Sequence, residues 1–136
     1  MTVFVDTAIL MYAVGVDHPL RAPSRRILDR VADGDLDAVI SAEVVQEIIH
    51  RFISIGRSDL GKRAAVDALD LFAPVLPITH ALMRRLPDLV ERYPALSSRD
   101  LVHVATCQHE GISEIISPDR GFDLVSGISR TDPASL

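Results

Sequence analysis

The stretch that most constrains this chain is its beginning. Val3-Phe4-Val5 is an unbroken apolar run, and Asp6 follows it at once. A strand that alternates apolar and polar residues has one wet face; an unbroken run reads as a strand buried on both faces of a parallel sheet. A carboxylate at the C-terminal end of such a strand lies where open α/β sheets bind ligands. Thr7 and the helical pattern Ile9, Leu10, Tyr12, Ala13 come next, so the chain reads strand, acid, helix. Taken alone, Asp6 has a second reading, as the N-cap of that helix.

The rest of the chain repeats this alternation. Residues 22–32 read as a helix ended by Asp33-Gly34, and residues 38–40 as a short buried strand. Ser41 then opens a helix with apolar residues at Val44, Val45, Ile48, Ile49, Phe52 and Ile53, a helical spacing. Ile55-Gly56 stops it. Further helices are expected over residues 60–72, 79–92 and from Ser97 or Ser98 to Glu110, where Gly111 ends the last. Residues 75–78 read as an edge strand because of Pro77, residues 114–117 as a buried strand, and residues 124–128 as a small further strand. Strands alternating with helices predict an α/β protein: three layers, α/β/α, around a short, mainly parallel sheet of four or five strands. At 136 residues the chain is expected to form one domain, residues 1–136.

Composition narrows the chemistry. One Cys leaves no internal disulfide and no multi-cysteine zinc site, and suits a reducing, cytoplasmic setting. No apolar run approaches the roughly 18 residues of a membrane span, and no signal peptide is expected. The net charge of −5 argues against nucleic-acid binding through the overall field. Yet Lys62 is the only Lys among 14 basic residues, and Arg suits bidentate contact with phosphate. Local basic patches therefore remain open, Arg21, Arg25, Arg26 and Arg30 among them.

Five further acids matter beside Asp6. Glu47 lies in the apolar helix of Val44 and Ile48, with Glu43 one turn earlier as its rival and Arg51 one turn later as a possible ion-pair partner. Asp100 opens a helix, where an acid also serves as a cap or dipole partner. Asp119 follows a buried strand and Pro118, and Asp123 lies four residues on; both suit turns or surface. Singly, each has an ordinary structural role. Jointly, a parallel sheet can set Asp6, Glu47, Asp100 and Asp119 around one crevice. Four carboxylates repel unless cations enter, and oxygen-only ligands favour Mg2+ or Mn2+ over zinc. Divalent ions at such a site suit in-line cleavage of phosphodiesters. Competing motifs fail. Gly56-Arg57-Ser58-Asp59-Leu60-Gly61-Lys62 lacks the strand before it and the hydroxyl after it that a P-loop needs. His103 and Cys107 have no third and fourth zinc ligand at usual spacing. A receiver-type switch would need a Lys after a late strand, and a haloacid-dehalogenase phosphatase an acid at position 8, which is Ala.

Four stretches carry a family resemblance: Val3-Phe4-Val5-Asp6-Thr7; Ser41-Ala42-Glu43-Val44-Val45-Gln46-Glu47-Ile48; Arg99-Asp100-Leu101-Val102-His103-Val104-Ala105; and Ser117-Pro118-Asp119-Arg120-Gly121-Phe122-Asp123. In this order they resemble a PIN domain, and within that group the VapC-type toxin ribonucleases of toxin–antitoxin pairs. The resemblance implies that Asp6, Glu47, Asp100 and Asp119 are the catalytic, metal-binding acids, with Asp123 a possible fifth ligand and Glu43 still competing with Glu47. It implies a Mg2+-dependent ribonuclease (Mn2+ substituting), with an RNA substrate, a small VapB-like antitoxin, a homodimer and a cytoplasmic location away from membranes. Ser117 falls where the family often has a small hydroxyl residue. The antitoxin groove is expected along residues 9–13 and 27–31, the dimer surface near residues 48–52. The alternative class is a catalytically silent PIN-like module that only binds RNA or protein; cleavage of RNA that requires Mg2+ separates the two.

Overall fold

Val3–Val5 forms β1, and all three of its residues are buried. In the computed structural model, which describes Met1–Leu136, β1 is an inner strand of a four-stranded sheet. Ala38–Val39 (β2) lies on one side of it and Glu114–Ile116 (β3) on the other, with Ser129–Thr131 (β4) beyond β3. Every pairing is parallel, and Phe4 stands opposite both Val39 and Ile115. The unbroken apolar run is thus explained by a strand with neighbours on both edges and helices on both faces.

The helices are α1 (Thr7–Val14), α2 (Arg21–Ala32), α3 (Ala42–Ser54), α4 (Ser58–Leu71), α5 (His80–Met83), α6 (Leu86–Arg92) and α7 (Ser98–Glu110). The layers are α/β/α. The helices α1 to α4 pack on one another, α5 and α6 pack on α7, and α3 touches both groups. Helix α3 turns Val44, Val45, Ile48 and Phe52 inward, which leaves Glu43 and Glu47 on a flanking face. Its neighbour α4 meets it with a small-residue face of Gly61, Ala64, Ala65 and Ala68. A Cβ at Gly61 would lie 2.9 Å from the Phe52 Cβ, so a larger residue would force the two helices apart. Helix α7 is buried continuously from Leu101 to Cys107, and Gly111 ends it in the left-handed region at φ 69°. Burial on every side carries His103 into the interior. No helix is long and apolar enough to cross a membrane.

Three expected elements differ. Residues 75–78 form no strand, only one parallel bridge between Ser41 and Leu76. Pro74 and Pro77 lack the N–H groups that a longer ladder would use. The helix expected over residues 79–92 is two helices, because Pro87 has no N–H for the Met83 carbonyl and disfavours helical geometry at Leu86. Residues 124–128 hold no strand: a 3-10 turn covers Arg120–Leu124, and β4 starts only after Gly127 at φ 83°.

Two expected surfaces also shrink. Ile9, Leu10, Ala13 and Ile27 belong to the core. What remains between α1, α2 and α4 is a small apolar cleft of about 50 Å3, lined by Leu10, Val14, Leu28, Ala64, Ala68 and Leu71 among others. On α3, Ile48 and Phe52 are buried, while Ile49 and Ile53 face outward.

Candidate active site

Asp6 leaves β1 with its N–H bonded to the Ile116 carbonyl at 3.0 Å, which pins it to the C-terminal edge of the sheet. It occupies the N-cap position of α1, yet its carboxylate makes no capping bond. Instead Oδ2 accepts from Ser117 Oγ at 2.6 Å, and Ser117 Oγ accepts from the Asp119 N–H at 3.0 Å. Asp119 in turn accepts from the Gly121 N–H at 2.8 Å, a side-chain turn that sets its carboxylate. The ends of β1 and β3 are therefore tied through Ser117.

His103 reaches the same place from α7. Its Nε2 lies 2.9 Å from Glu47 Oε1, 3.7 Å from Asp6 Oδ1 and 3.5 Å from Thr7 Oγ1. The ring packs on Phe4, and Nδ1 is buried without a partner. Glu47 comes from α3, with a side chain only 15% exposed. Asp100 sits in the first turn of α7; Ser97 caps that helix, accepting from the Asp100 N–H at 3.2 Å.

The electrostatics follow from burial. Asp6 is 6% exposed. Desolvation raises its pKa; the His103 ring and the Ser117 hydrogen bond oppose the rise, and Asp100 and Glu47 add to it. Asp100 is likewise raised, by burial first and then by Asp119 and Glu47, against the Ser97 bond and His103. Burial works against a charged His103, but the Glu47 hydrogen bond and the charges of Asp6, Glu47 and Asp100 outweigh it, so its pKa is raised. Glu43 is raised by burial and by Glu47, although Arg99 and His103 counter part of this. No Arg or Lys pairs with Asp6, Glu47, Asp100 or Asp119.

Asp6 and Glu47 thus flank His103, Asp100 is within electrostatic reach of it, and Asp119 is within electrostatic reach of Asp100. Between the two competing acids of α3, only Glu47 bonds to His103. Asp123 is engaged elsewhere: Arg130 donates to both of its oxygens, at 2.9 and 3.3 Å, and also to the Ser117 carbonyl at 3.0 Å. The chain offers no tight cage: no three His, Cys, Asp or Glu side chains converge into a group that would hold a metal ion by themselves. Cys107 is buried, its thiol is pushed up to about 12, mainly by desolvation, and it belongs to no group of potential metal ligands with His103.

A cleft of about 780 Å3 reaches Glu47 from outside, between α1 and its following loop on one side and α3 on the other. Arg51 lines it rather than pairing with Glu47, and Arg99 lines it too. This cleft was not legible beforehand. Arg51 stands one turn from Glu47, which in sequence looks like an ordinary helix-surface ion pair.

The family model described as PIN domain matches residues 3–128. Ribonuclease VapC13 of Mycobacterium tuberculosis is 38% identical over 128 residues, covering 94% of this chain and 98% of that protein. Two solved structures share the fold. The VapC20 toxin of Mycobacterium tuberculosis, described as cleaving the sarcin–ricin loop, has a TM-score of 0.74 at 17% identity, covering 89% of this chain and 92% of that one. VapBC2 of Rickettsia felis, bound to a DNA fragment from its promoter, has a TM-score of 0.75 at 13% identity, covering 97% and 98%. With a family match across almost its whole length and a close relative inside that family, this chain belongs to the PIN domain family.

Proposed function

We propose that the chain is a Mg2+-dependent ribonuclease of the cytoplasm, restrained by a small antitoxin. The observation that carries this reading is a set of acids, a buried Asp6 and a partly buried Asp100 among them, with no Arg or Lys partner and only His103 beside Asp6 and Glu47. The relative at 38% identity is named a ribonuclease, which supports the same reading. The donor set fits a hard cation. All four acids offer oxygen, and Mg2+ binds through one or two carboxylates while keeping several waters, which agrees with an open cradle. Asp6 and Asp100 would hold the ion, Asp119 would complete the set, and Glu47 would act through water. When bound, the ion supplies Lewis acidity at the phosphate and lowers the pKa of the attacking water.

The chain's own groups do the rest. Ser117 fixes the Asp6 carboxylate and, through the Asp119 N–H, the turn that carries the fourth acid. The His103 Nε2–H holds Glu47 Oε1, leaving Oε2 free to orient the attacking water or take its proton. Restraint uses the same surplus of charge: an antitoxin Arg or Lys entering between the acids would replace the cation. Its apolar segment would lie on the cleft between α1, α2 and α4. The exposed Ile49 and Ile53 suit a homodimer through α3.

The test is cleavage of total RNA by purified protein. Mg2+ or Mn2+ is expected to support it, EDTA to stop it and Asp6→Asn to abolish it with the fold intact. Binding of RNA without cleavage in either metal, or wild-type cleavage by Asp6→Asn, overturns the reading.

A further inference from the structure

The cleft that reaches Glu47 has chemistry of its own. Tyr12, on α1, stacks on His18 with ring centroids 4.4 Å apart and planes 27° from parallel. His18 does not swing freely, because its Nδ1 accepts the Leu20 N–H at 3.0 Å. The pair is therefore a preformed aromatic surface at the edge of the cleft. Arg51, Arg57, Arg99 and His50 also line it, and Glu47 is its only acid. Arg57 makes one exposed contact with Asp59, while Arg51 and Arg99 pair with nothing. On a chain of net charge −5, this is a local reversal of sign.

We propose that the cleft is a strand-binding subsite for single-stranded RNA, in which an unpaired nucleobase stacks on Tyr12 and His18 while the adjoining phosphates meet Arg51 and Arg99. Stacking platforms combined with cationic grooves are how proteins hold single strands, since every base has a flat face and only an unpaired one can present it. The subsite would set which phosphate is delivered to Glu47 and Asp6, and would select an unpaired strand over a duplex at Tyr12 rather than among the acids. A peptide is the poorer fit, because Arg51 and Arg99 would need carboxylates it had to supply in register. The cleavage part of this inference rests on the ribonuclease reading; the binding part does not.

The chain has no Trp, which makes a clean probe possible. In an Asp6→Asn background, Tyr12→Trp places a single reporter in the platform. A short single-stranded RNA is expected to quench its fluorescence to saturation, and the same sequence as a duplex is not. In the same background Tyr12→Ala is expected to raise the Kd for that strand roughly 5- to 100-fold, with Tyr12→Phe close to the parent. Arg51→Ala should flatten the salt dependence of binding by about one phosphate contact. Circular dichroism and melting of each variant report whether it folds. Unchanged Kd in folded Tyr12→Ala together with a silent Tyr12→Trp overturns the proposal. So does loss of a co-expressed antitoxin by Tyr12→Ala with RNA binding intact, which would give the cleft to a protein. Quenching by single strands from a protein that cleaves nothing in Mg2+ sinks the ribonuclease reading and leaves the platform standing.

Discussion

Two groups of acids meet on either side of Ser117 and are treated oppositely by the fold. Asp123 and Asp132 share Arg130, whose guanidinium also holds the Ser117 carbonyl. Asp6 and Glu47 share only a buried imidazole, and Asp100 and Asp119 have no cationic partner at all. The first group is a finished structural joint: each charge is answered, and Arg130 stays charged, its pKa raised by the Asp123 hydrogen bond. The second is left unfinished, with Asp6 and Asp100 held above the ordinary carboxylate range by burial and by their neighbours. Burial compensated only in part, by His103 and Ser117, is what the proposed cation would answer.

The sharpest way to break this contrast is activity. Asp6→Asn should lower cleavage by roughly 10^2- to 10^4-fold, the usual span for losing one catalytic group, while Asp123→Asn stays within a few-fold of wild type. Equal losses in a single-turnover assay would mean that both groups serve catalysis. Next in size is metal-linked stability. A cation that binds only the folded state contributes about 2.7 kcal/mol at a hundredfold excess over its Kd, which raises Tm by several degrees. Differential scanning fluorimetry should show this for wild type and Asp123→Asn, more strongly with Mn2+ than Mg2+, and much less for Asp6→Asn. An identical shift in all three would place the ion elsewhere.

A pH series on EDTA-treated protein sharpens the same point. Raised carboxylates bind protons more tightly in the folded state, so the stability of protonated Asp6 and Asp100 fades as pH climbs from about 4 through their folded values. His103 acts in the same direction: its share is full below about 6.5 and is lost as pH rises through its raised folded value. Tm should therefore fall from about pH 5 to 8 without metal, and less with Mg2+. A rise over that window contradicts the assignment. The smallest effect belongs to the joint. Losing Asp123 should cost under about 1 kcal/mol in urea melts, because its side chain is 52% exposed and water screens the pair.

Much of this was readable in the chain before its structure. The run Val3-Phe4-Val5 marked an inner parallel strand, the spacing from Val44 to Phe52 marked α3, and Gly111 marked the end of α7. These are local signals, set by side-chain period and backbone freedom. What escaped was non-local. Residues 75–78 look like a strand until the two prolines meet a neighbour that offers a single bridge. Asp123 looks as free as Asp119 until β4 brings Arg130 beside it. Arg51 looks like a partner for Glu47 until His103 takes that place from α7. In the first and last of these the deciding contact comes from a distant segment; Arg130 is only seven residues from Asp123, and it is the pairing of β4 with β3 that sets it there.

The hydrogen bond from Ser117 to Asp6 spans 111 residues of chain, and that separation becomes a delay during synthesis. At roughly 5–20 residues per second, Ser117 joins the chain about 6 to 22 seconds after Asp6 does. Until then β1 lacks its β3 neighbour, Asp6 lacks its anchor and the acid cluster does not exist. A chain of the first hundred residues has neither Ser117 nor Asp119. On the proposed reading, the site would be assembled only when the last strands emerge, so an antitoxin would have to be present by then and no earlier.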